Sequence, residues 1–228
     1  MAELGTVIVT GGASGLGAAV VAAVTEAGGA PFVLDRAPPR QDVAHRIVDL
    51  SDTARTADAV EEGAMVNGGV KGVVTCAGTD ACGRLEDVTA DDWERVVKVN
   101  LLGTAAVVRA ALPHLEHSGG RVVTVASTLG LRGVSDATAY CASKFGVIGF
   151  TRALAAETAG RVGVTLLVPG GMRTAFFDGR PDQYRPGPDA ELADPGDVAQ
   201  AVVFALSQPA GCEIRELIVA TPRETSWP

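Results

Sequence analysis

Short runs of valine, isoleucine and leucine alternate with longer alanine-rich stretches along the whole chain. This alternation is typical of strands that feed crossover helices in a parallel sheet. The predicted strands lack the polar alternation of a one-sided sheet, so we expect them to be buried on both faces. The predicted strands are 6–10, 31–35, 45–48, 72–76, 121–127, 163–168 and 214–220, and the predicted helices are 15–27, 53–66, 91–117, 138–159 and 195–206. The pattern predicts an α/β fold with a doubly wound parallel sheet and helices on both faces.

Length and composition favour one domain. The chain has 228 residues, 47% of them apolar and 20% charged, which is the balance of an ordinary globular protein. No linker or repeat divides it, so we predict a single domain over 1–228. The stretch 171–194 is rich in Gly, Pro, Asp and Arg, and we predict a lid over the substrate there, because so long a connection is usually functional. Only about ten residues, with two prolines, join the second and third strands, so no ordinary crossover helix is expected between them.

Charge and cysteine content limit the partners. The net charge of -8 gives no support to a nucleic-acid or anionic-membrane surface. No apolar run approaches the ~20 residues of a membrane-spanning helix and the first residues lack a signal-peptide pattern, so we expect a cytoplasmic protein. The four scattered cysteines indicate buried thiols. His114 and His117 have no third ligand near them in sequence, so we predict no metal site and a small-molecule partner.

A glycine-rich turn follows the first predicted strand and opens the first helix. It contains Gly11, Ser14, Gly15, Leu16 and Gly17. Residues without a Cβ let the backbone bend tightly and approach a pyrophosphate, which then binds the N–H groups of the helix N-terminus. The turn predicts a dinucleotide site.

Acidic residues at the ends of the next two strands bear on cofactor choice. Asp35 lies close to the ~20-residue spacing expected for a carboxylate that binds the adenosine ribose hydroxyls. It would repel the 2′-phosphate of NADP, and Ser14 brings no compensating cation, so we predict NAD(H) in preference to NADP(H). Arg36 could instead pair with a phosphate, which keeps NADP(H) open. Asp49, before Leu50, could bind the adenine amino group or be a solvated turn carboxylate.

A phenol, an ammonium and a hydroxyl form the candidate catalytic set. Tyr140 and Lys144 stand at i and i+4 on one predicted helix, hence on one face. A nearby cation lowers a tyrosine pKa from ~10 towards working pH, which gives a general acid/base for a hydroxyl or carbonyl. Ser127 ends a strand and could polarise the substrate oxygen, although such a serine is more often a turn former. Asn100 lies within a helical run, where its side chain needs a polar partner.

The sequence resembles the short-chain dehydrogenase/reductase family from Thr6 to about Ala220. The matching positions are Thr10, Gly11, Gly15 and Gly17 in the coenzyme turn, Asp35 at the acidic position of NAD-preferring members, Asp49 and Leu50 at the adenine contact, Asn100, Ser127, Tyr140 and Lys144 in the catalytic tetrad, and Pro169, Gly170, Met172 and Thr174 in the segment that holds the nicotinamide.

The resemblance implies a Rossmann-like domain with a sheet of about seven strands. It also implies hydride transfer between the nicotinamide and the carbon of a secondary alcohol or ketone. Tyr140 would exchange a proton with the substrate oxygen, and Ser127 would hydrogen-bond that oxygen. Lys144 would lower the tyrosine pKa and hold the nicotinamide ribose, while Asn100 would support a water that relays protons through Lys144.

The chain departs from the family pattern in three places. The family's Asn-Ala-Gly after the fourth strand is Cys76, Ala77 and Gly78 here, so a thiol replaces an amide that ties the sheet together, while backbone contacts to the adenosine side remain expected. The short region after Asp35 would leave the adenine pocket open to solvent. The segment 214–224 lacks the family's glycine-rich ending, which removes the expected basis of a C-terminal tetramer contact.

The substrate side allows several interpretations. The loops offer apolar and cationic side chains, namely Leu129, Leu131, Phe176, Phe177, Arg132, Arg173, Arg180 and Arg185. We expect a mostly apolar alcohol or ketone. Converging arginines would instead suit a 3-oxoacyl group on a carrier protein or coenzyme A. A chain of another class, a dinucleotide-binding regulatory module with little turnover, is the third interpretation. Surplus apolar residues on the helices 91–117 and 138–159 predict a homodimer or homotetramer.

Overall fold

The computed structural model describes residues 3–227, and in that part of the chain seven strands form one parallel sheet. The ends of the predicted domain 1–228, and with them the first residues used in the signal-peptide argument, lie outside the described residues. The strands are β1 (Thr6–Thr10), β2 (Ala30–Asp35), β3 (His45–Ile47), β4 (Gly72–Thr75), β5 (Arg121–Val125), β6 (Gly163–Pro169) and β7 (Glu216–Val219). Their order, β3-β2-β1-β4-β5-β6-β7, is the doubly wound, Rossmann-like arrangement, which confirms the predicted fold class.

Helices cover both faces of the sheet. They are α1 (Gly15–Glu26), α2 (Thr53–Met65), α3 (Ala90–Val97), α4 (Thr104–Ser118), α5 (Thr138–Glu157) and α6 (Pro195–Leu206). Val7 and Val9 of β1 pack with α1 and α6, whereas Ile8 packs on the other face with α2 and α4. Successive side chains of a strand point to opposite faces, so a strand covered on both sides needs an apolar residue at every position. This explains the continuous apolar runs of the inner strands.

The two edge strands differ from the prediction that every strand is buried. All three residues of β3 are exposed, and β7 alternates between exposed and half-buried positions. Each edge strand has one neighbour, and the connection 36–44 that leads to β3 contains no helix to cover it. The prediction that no ordinary crossover helix joins the second and third strands is therefore confirmed, whereas the predicted burial of β3 is wrong because no helix covers it.

The predicted single helix 91–117 is divided in the structure. A π-helical segment, Lys98–Gly103, joins α3 to α4 and contains the buried Asn100. The stretch Ala90–Ser118 has the length and apolar composition of a helix that could cross a membrane. We did not identify it from the sequence, where we expected no apolar run of this length. Its α4 part packs in the core through Val107, Val108, Ala111 and Leu115.

Candidate active site

A cavity of about 820 Å³ opens at the carboxyl ends of the strands, beside the neighbouring strands β1 and β4, where the strand order of the sheet reverses direction. All predicted cofactor residues but Thr174 line it, together with Ser127. Thr174 lies on a neighbouring small cavity, where it packs 3.5 Å from the place a Cβ of Gly15 would take. Asn100 does not line the cavity; it is buried in the layer of residues behind the cavity lining.

The glycine turn has the shape that a pyrophosphate requires. A Cβ on Gly17 would overlap the carbonyl oxygen of Gly11, and one on Gly11 would come within 2.8 Å of the backbone of Ala77. Ser14 precedes α1 in an extended conformation without a side-chain capping bond. The backbone N–H groups at the start of α1 are thus left for a ligand, so the residues present fit a bound dinucleotide phosphate.

Asp35 faces the cavity and also holds the glycine turn. Its Oδ2 accepts a hydrogen bond from the N–H of Ala13 at 2.9 Å, and its Oδ1 accepts one from Ala37 at 3.1 Å. Arg36 lines the same part of the cavity. The bond to Ala13 could not be predicted from sequence patterns, because it joins the end of β2 to the loop that follows β1.

Asp49 is an ion-paired carboxylate. Its Oδ2 accepts a hydrogen bond from Arg95 Nη2 at 3.0 Å, and its Oδ1 accepts one from the N–H of Ser51. Burial alone would raise the pKa of Asp49, but the Ser51 bonds and the Arg95 guanidinium lower it to about 2. Asp49 is therefore held by protein partners and is not simply a solvated turn carboxylate, while the adenine contact stays a prediction. We did not identify Arg95, on α3, from the sequence as the partner of Asp49.

The loop after β4 is tied to the glycine turn without the family's amide. Thr10 Oγ1 accepts a hydrogen bond from the N–H of Ala77 at 3.0 Å. Cys76 packs beside the apolar cluster under α1 and α6, and burial raises the pKa of its thiol to about 12. The thiol therefore stays protonated and contributes as a small apolar group.

Asn100 connects this loop to α5. Its Oδ1 accepts from the N–H of Thr79 at 2.8 Å, and its Nδ2 donates to the Thr79 carbonyl at 2.9 Å and to Ser143 Oγ at 3.0 Å. Ser143 Oγ in turn donates to the carbonyl of Tyr140 at 2.8 Å. The polar atoms of the Asn100 side chain thus serve these partners, and the proton-relaying water stays a prediction.

Tyr140, Ser127 and Lys144 lie together at the inner end of the cavity. Lys144 is nearly buried, donates from Nζ to the Val125 carbonyl at 2.9 Å, and lies 5.6 Å from the Tyr140 ring centroid. Ser127 Oγ accepts from the N–H of Leu129 at 3.1 Å. The i, i+4 spacing therefore places the phenol and the amine as the sequence predicts.

The expected lowering of the tyrosine pKa is wrong for this structure. Burial raises the pKa of Tyr140 to about 12, although its hydrogen bond with Ser127 opposes the rise. Burial also lowers the pKa of Lys144 to about 8, so the amine is a weaker source of positive charge than a solvated lysine. The phenol is therefore protonated at neutral pH and ready to donate a proton.

The segment 171–194, predicted as a lid and called the lid below, brings two aromatic rings to the cavity. Phe176 lies 5.7 Å from Tyr140 between ring centroids, and Phe177 packs edge-on against Phe176. The lid arginines do not converge. Arg180 pairs with Asp80, Arg173 donates to the Leu192 carbonyl, and Arg185 pairs with Asp182, while Arg132 outside the lid donates to the Thr225 carbonyl.

The C-terminal segment 223–226 forms one wall of the cavity, which the sequence did not predict. Glu224 Oε2 accepts from the N–H of Gly171 at 2.7 Å, and Ser226 Oγ is 2.6 Å from Thr128 Oγ1. A Cβ on Gly170 would overlap the Glu224 carboxylate. The tail is thus fixed to the segment that follows β6.

Comparison with known proteins identifies the family of this chain. The sequence pattern of a family described as short chain dehydrogenase matches residues 5–185. An uncharacterised oxidoreductase of Staphylococcus aureus (strain MW2) is 31% identical over 224 residues, which are 93% of this chain and 95% of that protein. The 2-dehydro-3-deoxy-L-rhamnonate dehydrogenase (NAD(+)) of Sphingomonas sp. (strain SKA58) is 37% identical over 185 residues, 76% of this chain and 74% of that one. The chain belongs to the short-chain dehydrogenase/reductase family and is an oxidoreductase of that family.

Solved structures share the fold. The ligand-free aldohexose dehydrogenase of Thermoplasma acidophilum superposes with a TM-score of 0.84 at 23% identity, and the match covers 94% of this chain and 92% of that one. An alcohol dehydrogenase of Thermococcus sibiricus has a TM-score of 0.85 at 23% identity and covers 99% of both chains. The seven-stranded parallel sheet with its flanking helices is therefore that of the family.

Proposed function

We propose that this protein is an NAD(H)-dependent oxidoreductase that interconverts a secondary alcohol and a ketone, with Tyr140 as general acid/base. One observation carries the proposal: Tyr140 and Ser127 line the same cavity as the glycine turn. A dinucleotide laid on that turn would extend towards both hydroxyls.

The residues of the chain have distinct tasks in this reaction. A bound nicotinamide would donate or accept the hydride. Tyr140, which is protonated at neutral pH, donates its proton to the carbonyl oxygen during reduction and becomes a phenolate. In the reverse direction the phenolate form takes the proton from the alcohol. Ser127 fixes that oxygen beside the phenol. Lys144, with a pKa of about 8, can hold or release a proton behind Tyr140 near working pH.

NAD(H) is favoured over NADP(H) by the carboxylate of Asp35 at the cavity wall, which would repel a 2′-phosphate. The name of the Sphingomonas relative also specifies NAD(+). Arg36, beside Asp35 in the wall, is the residue that would hold the phosphate of NADP(H).

The test combines cofactor binding with turnover. NADH and NADPH are titrated separately by nicotinamide fluorescence, and a panel of secondary alcohols and ketones is then assayed. Tyr140→Phe should bind NADH normally and lose at least about a hundredfold in kcat. Tyr184→Phe, the matched control, changes the other of the chain's two tyrosines, in the lid. Equal rates in Tyr140→Phe and the wild type would contradict the proposed role, and NADH binding without turnover would support a regulatory module.

We also propose that the chain forms a homodimer or homotetramer through the π-helical segment and α5. Leu102 and Phe145, on these neighbouring elements, are each 47% exposed. Phe145→Glu should shift the mass measured by light scattering to that of a monomer, and a monomeric wild type would refute the proposal.

A cytoplasmic location is proposed on the thiols. Cys76, Cys82, Cys141 and Cys212 are all free, and free thiols are typical of a reducing compartment. Fractionation of the native host, followed by detection of the protein, tests this proposal.

A further inference from the structure

A nearly buried ion pair joins the lid to the loop after β4 at the substrate end of the cavity. Arg180 Nη2 lies 2.8 Å from Asp80 Oδ2, and the side chains are 16% and 9% exposed. Asp80 also accepts from the N–H of Ala81 at 2.7 Å and from Cys82 Sγ at 3.2 Å. The carboxylate is thus supplied with donors on both oxygens and is fixed in place.

The arginine is held in an apolar setting. Its guanidinium carbon lies 4.7 Å from the ring centroid of Phe176 and 4.8 Å from that of Phe177. Its Nη1 makes a long hydrogen bond of 3.5 Å to the Tyr184 carbonyl. A cation that packs against two aromatic rings and is largely shielded from solvent depends on Asp80 for its counter-charge.

The pair stands next to the reacting groups. Phe176 packs against Tyr140, and both Asp80 and Arg180 line the same cavity as the phenol. The same cavity is also lined by Glu224, whose carboxylate accepts hydrogen bonds from Gly171 and Ser226. Arg180 is thus compensated by Asp80, and the other cation near Tyr140, the Lys144 amine, is nearly buried and donates to the Val125 carbonyl. A carboxylate that enters the cavity would also meet the charge of Glu224.

We propose that Asp80 is a specificity-determining residue that neutralises Arg180 and so restricts the substrate compartment to uncharged alcohols and ketones. The proposal rests on the proposed function, because it names the substrate class of that same site. Removal of the Asp80 charge alone would leave Arg180 uncompensated and turn the compartment into an anion site.

The test measures ligand binding to the full chain without cofactor or turnover, so it can be interpreted even if the proposed reaction fails. Benzoate and its uncharged analogue benzamide are titrated by calorimetry into the wild type, Asp80→Asn, and the double variant Asp80→Asn/Arg180→Met. Asp80→Asn should bind benzoate at least about tenfold more tightly than the wild type, with benzamide unchanged. The double variant should return to wild-type affinity, which separates this site from anion binding at the glycine turn.

The reverse substitution protects the test against misfolding of Asp80→Asn. Arg180→Met leaves the Asp80 carboxylate unpaired, so it should gain at least about tenfold in affinity for benzamidine, a cation of similar shape. Unchanged benzoate affinity in folded Asp80→Asn, or unchanged benzamidine affinity in folded Arg180→Met, would overturn the proposal.

Discussion

Asn100 and Thr79 are joined by two hydrogen bonds that run in opposite directions between one side chain and one backbone. The Asn100 side chain thereby pairs with the backbone of Thr79 as a neighbouring strand would, although Thr79 lies in the loop after β4. The π-helical turn at Lys98–Gly103 places this amide toward the loop, and Thr104 Oγ1 donates to the Asn100 carbonyl at 2.8 Å. The loop that leads to Asp80 is fixed at its start by these bonds.

Replacement of Asn100 by leucine should therefore destabilise the protein. The N–H and carbonyl of Thr79 and the hydroxyl of Ser143 would all lose a partner in a buried place. Unpaired buried groups cost about 1–3 kcal/mol each, so we expect the free energy of unfolding to fall by about 3 kcal/mol. Urea denaturation measures this value, and a loss below about 1 kcal/mol would show that the bonds contribute little.

The same change, glycine to alanine, should have opposite effects at two positions. Gly17→Ala would push a methyl group into the Gly11 carbonyl, so we expect NADH affinity to fall at least about tenfold and stability to fall as well. Gly149→Ala adds a methyl group in open space on α5, and should stabilise the protein by about 0.5–1 kcal/mol. Denaturation and fluorescence titration of both variants check these signs, and normal NADH binding by Gly17→Ala would refute the phosphate site.

Asp35→Ala should weaken NADH binding and relax discrimination against NADPH. The variant loses the carboxylate that we propose binds the ribose hydroxyls, and it loses the acceptor for the Ala13 N–H that helps to hold the turn. We expect the ratio of the NADPH and NADH dissociation constants to fall by at least about tenfold. Asp42→Ala, at a nearby exposed carboxylate, is the matched control. An unchanged ratio would contradict the role of Asp35, and tighter binding of NADPH than of NADH by the wild type would favour Arg36 as a phosphate ligand.

Lys144 should make the stability of the cofactor-free protein depend on pH. Burial lowers its pKa from 10.5 to about 8, so between these values the unfolded chain binds more protons than the folded one and stability rises with pH. The free energy of unfolding of the wild type should therefore rise by about 3 kcal/mol relative to that of Lys144→Met between pH 7 and pH 10.5. Urea denaturation of both proteins at each pH measures this difference, and a constant difference would contradict the buried amine.

Gly170 and Glu224 should behave as one unit. A methyl group on Gly170 would displace the Glu224 carboxylate from the Gly171 N–H, so Gly170→Ala and Glu224→Ala should release the same contact. We expect each to speed hydrogen exchange of the Gly171 amide, and the double variant to add little to either. Fully additive effects on stability would show that the two residues act separately.

The sequence predicts the sheet because its inner strands are covered on both sides, and a residue such as Ile8 must be apolar whichever face it meets. The glycine turn and the Tyr140–Lys144 spacing are local patterns, so the sequence alone is enough to recognise them. The divided helix is not a local pattern, because the π-helical turn at Asn100 depends on partners such as Thr79 that come from another loop.

Contacts between distant segments could not be predicted for the same reason. Three such contacts join parts of the chain that only the fold brings together: Arg95 with Asp49, Asp80 with Arg180, and Glu224 with Gly171. The tyrosine pKa was wrongly expected to fall, because a spacing of four residues shows that a lysine is near but not that both groups are buried.

The short outer strands have a consequence for how copies of this chain can meet. β3 has three residues with Arg46 held by Glu62, and at the other border Glu216 of β7 is held by Arg152. Brief, charged borders are poor templates for a further strand. We therefore expect the edges of the sheet to resist pairing with another sheet, and the homo-oligomer that we propose to form through helical surfaces.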